Sequence, residues 1–405
     1  MRIRFPWILA VAALIAAAAM LACSTKYAAS NNGLVVVSTQ GNAVMDTFSL
    51  NLNNGSVSEI NNVNGPPING VGTSVVLDPA GAYAYVLVAQ STFVNNSETG
   101  VEAFAIASDG KLGSGTTTVL KGGVLPVAMA IDSSGKFLFI ADSSPGAVSV
   151  LSIGSGGALT EIPNSPFLLP TQIGGPIPSA SAVAVSSTKY PPAYAICSAN
   201  VPPATENLYV TDATSYYVLN YSVASSGVLT FVSQNVTGTD PAGVTVDPCN
   251  RFVYVSNSLG NSVSAFTICN TVTLPNCTLA DFSLLPVNGS PFNTSPGAGP
   301  GPLMMDAYAN YLYVLDSSGS TAGTGGISAF AVSSVSGSLT ALSPPLINTN
   351  SYPTSMAIRS DDSWLFVANS DSANLSEYAI TPSNGKLVPQ TAVQTDNTPW
   401  GVAVK

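Results

Sequence analysis

Asp142, Asp212, Asn257, Asp316 and Asn369 recur at one place in a repeated pattern and hold much of the oxygen chemistry this chain offers. Each ends an apolar stretch, most clearly in Tyr209-Val210-Thr211-Asp212 and Tyr254-Val255-Ser256-Asn257. Carboxylates such as Asp142, Asp212 and Asp316, gathered at one rim, would supply the oxygen ligands that a hard cation such as calcium takes. The other reading is local. Asp and Asn are favoured where a strand yields to a turn, because their side chains bond the nearby backbone. Recurrence in step with the repeat speaks for turn chemistry, and Asp78, Asp132, Asp247 and Asp306 fall under the same argument. Lys121 is the cation expected beside this set. Trp400, directly after Pro399, has a ring that would either stack on a sugar or aromatic ligand or plug the junction of the repeat.

Absent residue types narrow the chemistry further. The chain contains no histidine, which removes the commonest general base and metal ligand. It has no Gly-x-Ser-x-Gly elbow with a base and no phosphate-binding Gly-Lys-Ser/Thr loop. Lys and Arg number 11 against 21 Asp and Glu, for a net charge of -10, so no basic patch exists to neutralise phosphates and a nucleic-acid partner is disfavoured. Charged residues are only 8% of the chain, against about 25% in an average domain. Solubility then rests on Ser, Thr, Asn and Gly, while 46% hydrophobic residues are ample for a core. No cofactor is expected, with calcium as the alternative.

The elements that position these residues are repeated strands. Residues 241–268 show the unit most clearly: an apolar strand, a tight turn at 247–250, a second strand through Tyr254-Val255, a polar loop opened by Asn257, and a third strand. Period-two alternation, as in Ser262-Val263-Ser264-Ala265-Phe266, supports strands. The residue closing the first strand falls at Asp78, Asp132, Ser186, Asp247, Asp306, Arg359 and Lys405, at spacings of about 46 to 61 residues. That period suits propeller blades rather than a helical solenoid. Second strands appear seven times, fourth strands are weaker (157–162, 227–232, 337–342), and 35 glycines and 29 prolines punctuate them. The expected fold is therefore an all-β, seven-bladed propeller with four strands per blade. The chain ends on a first strand, 399–404, and its first blade starts at a second strand near Leu34. Pairing the two halves closes the ring and removes exposed edges. Loops from fourth to first and from second to third strands share one rim, the upper one. Arg251 and Arg359 fall on the opposite rim.

The N-terminus reads as an export leader over 1–22: Arg2 and Arg4, an apolar run over 7–20, then Leu21-Ala22-Cys23. The run is short for a spanning helix and suits a signal sequence. The Leu-Ala-Cys ending resembles the bacterial lipobox, with Met20 as a departure, so Cys23 is the expected lipidation site and 23–32 a polar tether to the propeller at 33–405. The resulting location is the cell envelope, and Ser24 favours the outer membrane. Cys197, Cys249, Cys269 and Cys277 remain, an even number that favours disulfides in an exported chain. Three pairings are possible; Cys269–Cys277 across one hairpin and Cys197–Cys249 between neighbouring repeats are expected. Zinc finds no CxxC spacing and no histidine.

Tyr254-Val255-Ser256-Asn257, Tyr209-Val210-Thr211-Asp212, Phe366-Val367-Ala368-Asn369 and the turn Gly337-Ser338-Leu339-Thr340 resemble the YVTN-type, lactonase-like seven-bladed propellers. The resemblance covers nearly all of 33–405 and implies the propeller fold. It also implies lactone hydrolysis, since the family includes phosphogluconolactonases and muconate-cyclising enzymes whose sites use histidine, arginine and acidic groups on anionic substrates. None of those site residues has a matching position here. The expectation is a lipid-anchored, monomeric binding module that presents its upper rim to a neutral small molecule, glycan or protein, with Lys121, Asp142, Asp212, Asn257, Asp316, Asn369 and Trp400 as ligand-binding candidates. Two alternatives stand beside it: a lactone hydrolase using carboxylates or a bound cation, and a structural envelope protein.

Overall fold

The computed structural model describes residues 32–60, 65–89, 99–122, 125–171, 174–187, 206–269, 277, 282–295, 298–319, 321–395 and 398–405. The expected leader, the expected lipidation site Cys23, most of the expected tether and Cys197 lie outside these residues. Within them the chain forms seven antiparallel sheets, each with a four-strand path, and three sheets carry a further short strand. The innermost strands are Val71–Leu77, Pro126–Ile131, Ala180–Val185, Pro241–Val246, Pro300–Met305, Pro353–Ile358 and Pro399–Val404. Each packs against the innermost strands of the two neighbouring blades, and Pro399–Val404 meets Val71–Leu77, so the ring is complete.

Closure occurs as the repeat predicts. Pro399–Val404 pairs antiparallel with Asn32–Thr39, setting Val35 opposite Val404 and Val37 opposite Val402. The ends of the chain thus share one blade with Met45–Asn51 and Val57–Glu59. The weak fourth strands are found at Leu159–Glu161, Leu229–Val236 and Leu339–Asn348. The core is distributed between the blades. Val35, Val37 and Phe48 of the closing blade, for example, pack with Phe366, Ala368 and Leu375 of the blade before it.

The aromatic signature of the second strands explains how blades lock together. Phe252 and Tyr254 lie on one face of Phe252–Asn257, because strand side chains alternate faces. The fully buried Tyr254 donates its hydroxyl to the Gly337 carbonyl of the next blade at 3.0 Å. Tyr313 repeats the contact with Gly385 at 2.8 Å. A Cβ on Gly337 would run into the Phe252 ring, and Gly337 sits at φ 72°, a left-handed conformation that glycine adopts freely. The Gly-x-Leu-Thr turn is therefore an inter-blade joint. Trp364 has the same role, its ring filling the space a side chain on Gly55 would need.

Turns on the lower rim are built as the sequence suggests. Asp132 Oδ1 accepts from the backbone N–H groups of Lys136 and Phe137 at 2.6 and 2.7 Å, and Asp306 does the same for Asn310 and Tyr311. Asp247 also holds Arg251 by an Nε–Oδ2 contact of 2.6 Å, and Arg359 pairs with Asp361. Both arginines are thus engaged on the lower rim. Cys269 and Cys277 form the expected disulfide, with Cα atoms 5.9 Å apart. Cys249 is disulfide-bonded as well; its expected partner, Cys197, lies outside the described residues.

Candidate functional site

Every inner strand carries a bulge near its upper end. In the third blade the register passes from Pro126–Asp142 to Ala128–Ala141, leaving Val127 without a partner. The same skip leaves out Thr73, Ser181, Ala242, Thr354 and Trp400, and in the sixth blade both Gly301 and Pro302. A bulge re-aims the extra residue. Repeated around the ring, it sets Thr73, Val127, Ser181, Ala242, Pro302, Thr354 and Trp400 around a cavity of about 250 Å³ at the upper mouth of the channel. A second cavity of about 500 Å³ follows below. The two share Ser74, Met129, Val183, Val244, Leu303 and Ser355 in their walls, which makes them one continuous channel.

Among the described residues, no Asp, Glu, Lys or Arg lines either part of that channel. The mouth instead offers hydroxyls with their hydrogens already committed. Ser181 donates to the Pro241 carbonyl at 2.6 Å, Thr354 to the Trp400 carbonyl at 2.8 Å and Thr73 to the Leu87 carbonyl at 3.3 Å. A hydroxyl has one hydrogen and two lone pairs, so each oxygen is left as an acceptor. The Ser181 and Thr354 contacts also join neighbouring blades, which holds the mouth in shape.

The expected site residues are not gathered at this mouth. Asp142, Asp212, Asn257, Asp316 and Asn369 end second strands of five different blades and are between 0 and 3% exposed. Asp142 accepts from Ser149 at 2.7 Å and Asp316 from Ser328 at 2.6 Å. Asn257 and Asn369 donate to Ser264 and Ser376 at the matching positions, both at 3.0 Å. Asp212 accepts from the backbone N–H groups of Ser179, Thr214 and Ser215. Each thus ties a second strand to its own blade: Asp212 through turn backbone, as turn chemistry expects, and the other four through a serine of the next strand. Burial pushes the Asp142 carboxyl up to about 6 and Asp316 up to about 7, with the serine bonds opposing the shift. Among the described residues no group of three His, Cys, Asp or Glu side chains could hold a metal ion.

Lys121 stands apart from the channel. Its backbone N–H donates to Glu161 on an outer strand of the next blade, at 3.0 Å. Trp400 does reach the mouth, half-buried, beside a residue that the repeat pattern did not single out. Tyr352 is 58% exposed, and its ring lies 6.2 Å from that of Trp400 with the planes 47° apart. The readable signal for Tyr352 was its place directly before Pro353, the same place Asp240 holds before Pro241. Asp240 holds that entry position in its own blade, two residues before Ala242, and is half-buried.

Comparison with known proteins agrees with the geometry. Residues 29–168 and 290–404, more than half of the chain, match the profile of the family described as Lactonase, 7-bladed beta-propeller. No curated protein matches the sequence. Among solved structures, a candidate 6-phosphogluconolactonase from Bacteroides fragilis is 18% identical with a TM-score of 0.69, covering 94% of this chain and 99% of its own. The Pseudomonas aeruginosa periplasmic gluconolactonase PpgL is 17% identical with a TM-score of 0.67, over 92% of this chain and 99% of its own. A second candidate 6-phosphogluconolactonase, from Bacteroides uniformis, is 17% identical with a TM-score of 0.70, over 93% and 100%. At such identities the likeness speaks for the fold. Closed by its last strand, bulged at every inner strand and matched over 29–168 and 290–404, the chain belongs to the seven-bladed β-propeller lactonase family.

Proposed function

We propose that the mouth of the channel takes a small, uncharged, hydroxyl-rich ligand of the sugar or sugar-lactone class. The observation that supports this reading is the wall itself: among the described residues it offers hydroxyl oxygens left as acceptors, one tryptophan and no charged side chain. Acceptor oxygens suit a ligand that donates hydrogen bonds. A phosphorylated or carboxylated ligand would meet no cation among the described residues there, in a chain of net charge -10, and its desolvation would go uncompensated. Titration calorimetry with D-glucono-1,5-lactam, a stable stand-in for the lactone, and with 6-phosphogluconate tests the idea. The lactam is expected to bind and the phosphate to bind at least tenfold more weakly. Tighter binding of the phosphate would overturn the reading.

The names of the solved relatives favour a second reading, hydrolysis of the bound lactone. Ring opening needs a base to take a proton from water, and among the described residues no carboxylate lines the channel wall. Asp240, on the rim beside the wall, is the candidate base. Base consumption with glucono-1,5-lactone in a pH-stat, above the spontaneous rate and lost in Asp240→Asn, would establish turnover; a rate equal to the spontaneous one leaves a binding protein.

A further inference from the structure

We infer that Tyr352 and Trp400 form an aromatic clamp that selects ring-closed sugars over open-chain polyols at the channel mouth. This rests on the uncharged-ligand reading and specifies it. The two residues come from adjacent blades, at the junction where the C-terminal strand closes the ring. Trp400 occupies the bulge of its inner strand and lines the upper cavity. If it served only to seal the junction it would be enclosed; instead it is half-buried. Tyr352 occupies the position just before its inner strand, where the backbone is left-handed, at φ 53°. The same entry position is left-handed at Asp240, Gly299 and Thr398 as well, at φ 60°, 58° and 50°, so the conformation belongs to the repeat, and what distinguishes Tyr352 is the large ring it carries there.

The backbone around both rings is tied down. Ser370 N–H donates to the Tyr352 carbonyl at 2.9 Å, and Thr354 donates to that of Trp400 at 2.8 Å. Two rings 6.2 Å apart with planes 47° apart make a rigid apolar corner, and Tyr and Trp give contact area at low entropic cost. The wall facing that corner supplies hydrogen-bond acceptors. A partner that is apolar on one face and ringed with hydroxyl donors on its edge meets both demands. A pyranose has that form; a flexible polyol with the same hydroxyls presents no fixed apolar face.

Calorimetric titration with D-glucose, D-glucono-1,5-lactam and D-sorbitol tests the clamp. The two cyclic ligands are expected to bind at least tenfold more tightly than sorbitol. Trp400→Ala and Tyr352→Gly should each weaken the cyclic ligands about tenfold, the size of one aromatic contact, and leave sorbitol unchanged. Tyr352→Gly relieves the left-handed backbone, so its thermal midpoint is not expected to fall, and Trp400→Phe should restore part of the binding. Sorbitol binding as tightly as glucose, or cyclic-ligand affinities unmoved in both variants, would overturn the clamp while leaving an uncharged-ligand site. Absence of binding by all three ligands would overturn both.

Discussion

Asp316 places a carboxylate where two other blades place an amide, and the difference is chemical. Its Oδ2 accepts from Ser328, while Oδ1 is buried without a hydrogen-bond partner. A charge so enclosed favours its protonated form. The folded chain therefore keeps a proton that the unfolded chain releases near pH 3.9. The stability contributed is whole below about pH 4 and is lost as pH rises through about 6 for Asp142 and about 7 for Asp316. Asp306 and Glu377, each pushed up to about 7 by burial, act in the same direction. Asp316→Asn copies Asn257 and Asn369 and is expected to stabilise the fold by about 1–3 kcal/mol at pH 8 and little at pH 4.5. Urea midpoints at the two pH values measure this, and equal shifts at both would contradict it.

At the scale of elements, the joint between blades depends on a turn glycine and two aromatics on one strand face. Gly337→Ala combines a left-handed backbone with a side chain driven against Phe252 and is expected to cost about 2–4 kcal/mol. Tyr254→Phe removes only the bond to the Gly337 carbonyl and should cost about 1 kcal/mol. Chemical denaturation of the two variants distinguishes these outcomes; a Gly337→Ala protein as stable as the parent would contradict the joint. The legible part of this element was the recurring aromatic-aliphatic second strand, as at Tyr254-Val255, and the Gly-x-Leu-Thr turn. The pairing of the two motifs was not legible, because their contact spans 83 residues and nothing local specifies it.

For the whole molecule, stability rests on closure. Removing residues 399–405 would strip the inner edge of the first blade and two lateral contacts, with Val71–Leu77 and Pro353–Ile358. Edge strands left open in this way invite association with other chains. The shortened protein is expected to lose its cooperative thermal transition and to elute as aggregates in gel filtration. A monomer with the parent's transition would show that the ring does not need its last strand.

Much of the fold follows from the sequence alone, because strands announce themselves by period-two alternation and turns by Asp, Asn and Gly at fixed offsets. Seven second strands, the half blades at the two ends, the Cys269–Cys277 disulfide and the lower-rim place of Arg251 and Arg359 are all properties of local order and count. The site is different. Asp142, Asn257, Asp316 and Asn369 look alike in sequence whether they face a ligand or a serine on the next strand, and only the pairing of strands turned them inward. The bulge that aims Thr354 and Trp400 at the channel is a register shift between strands, invisible in either strand alone. Tyr352 and Trp400 meet only because the ring closes. What local chemistry could not express, long-range packing decided.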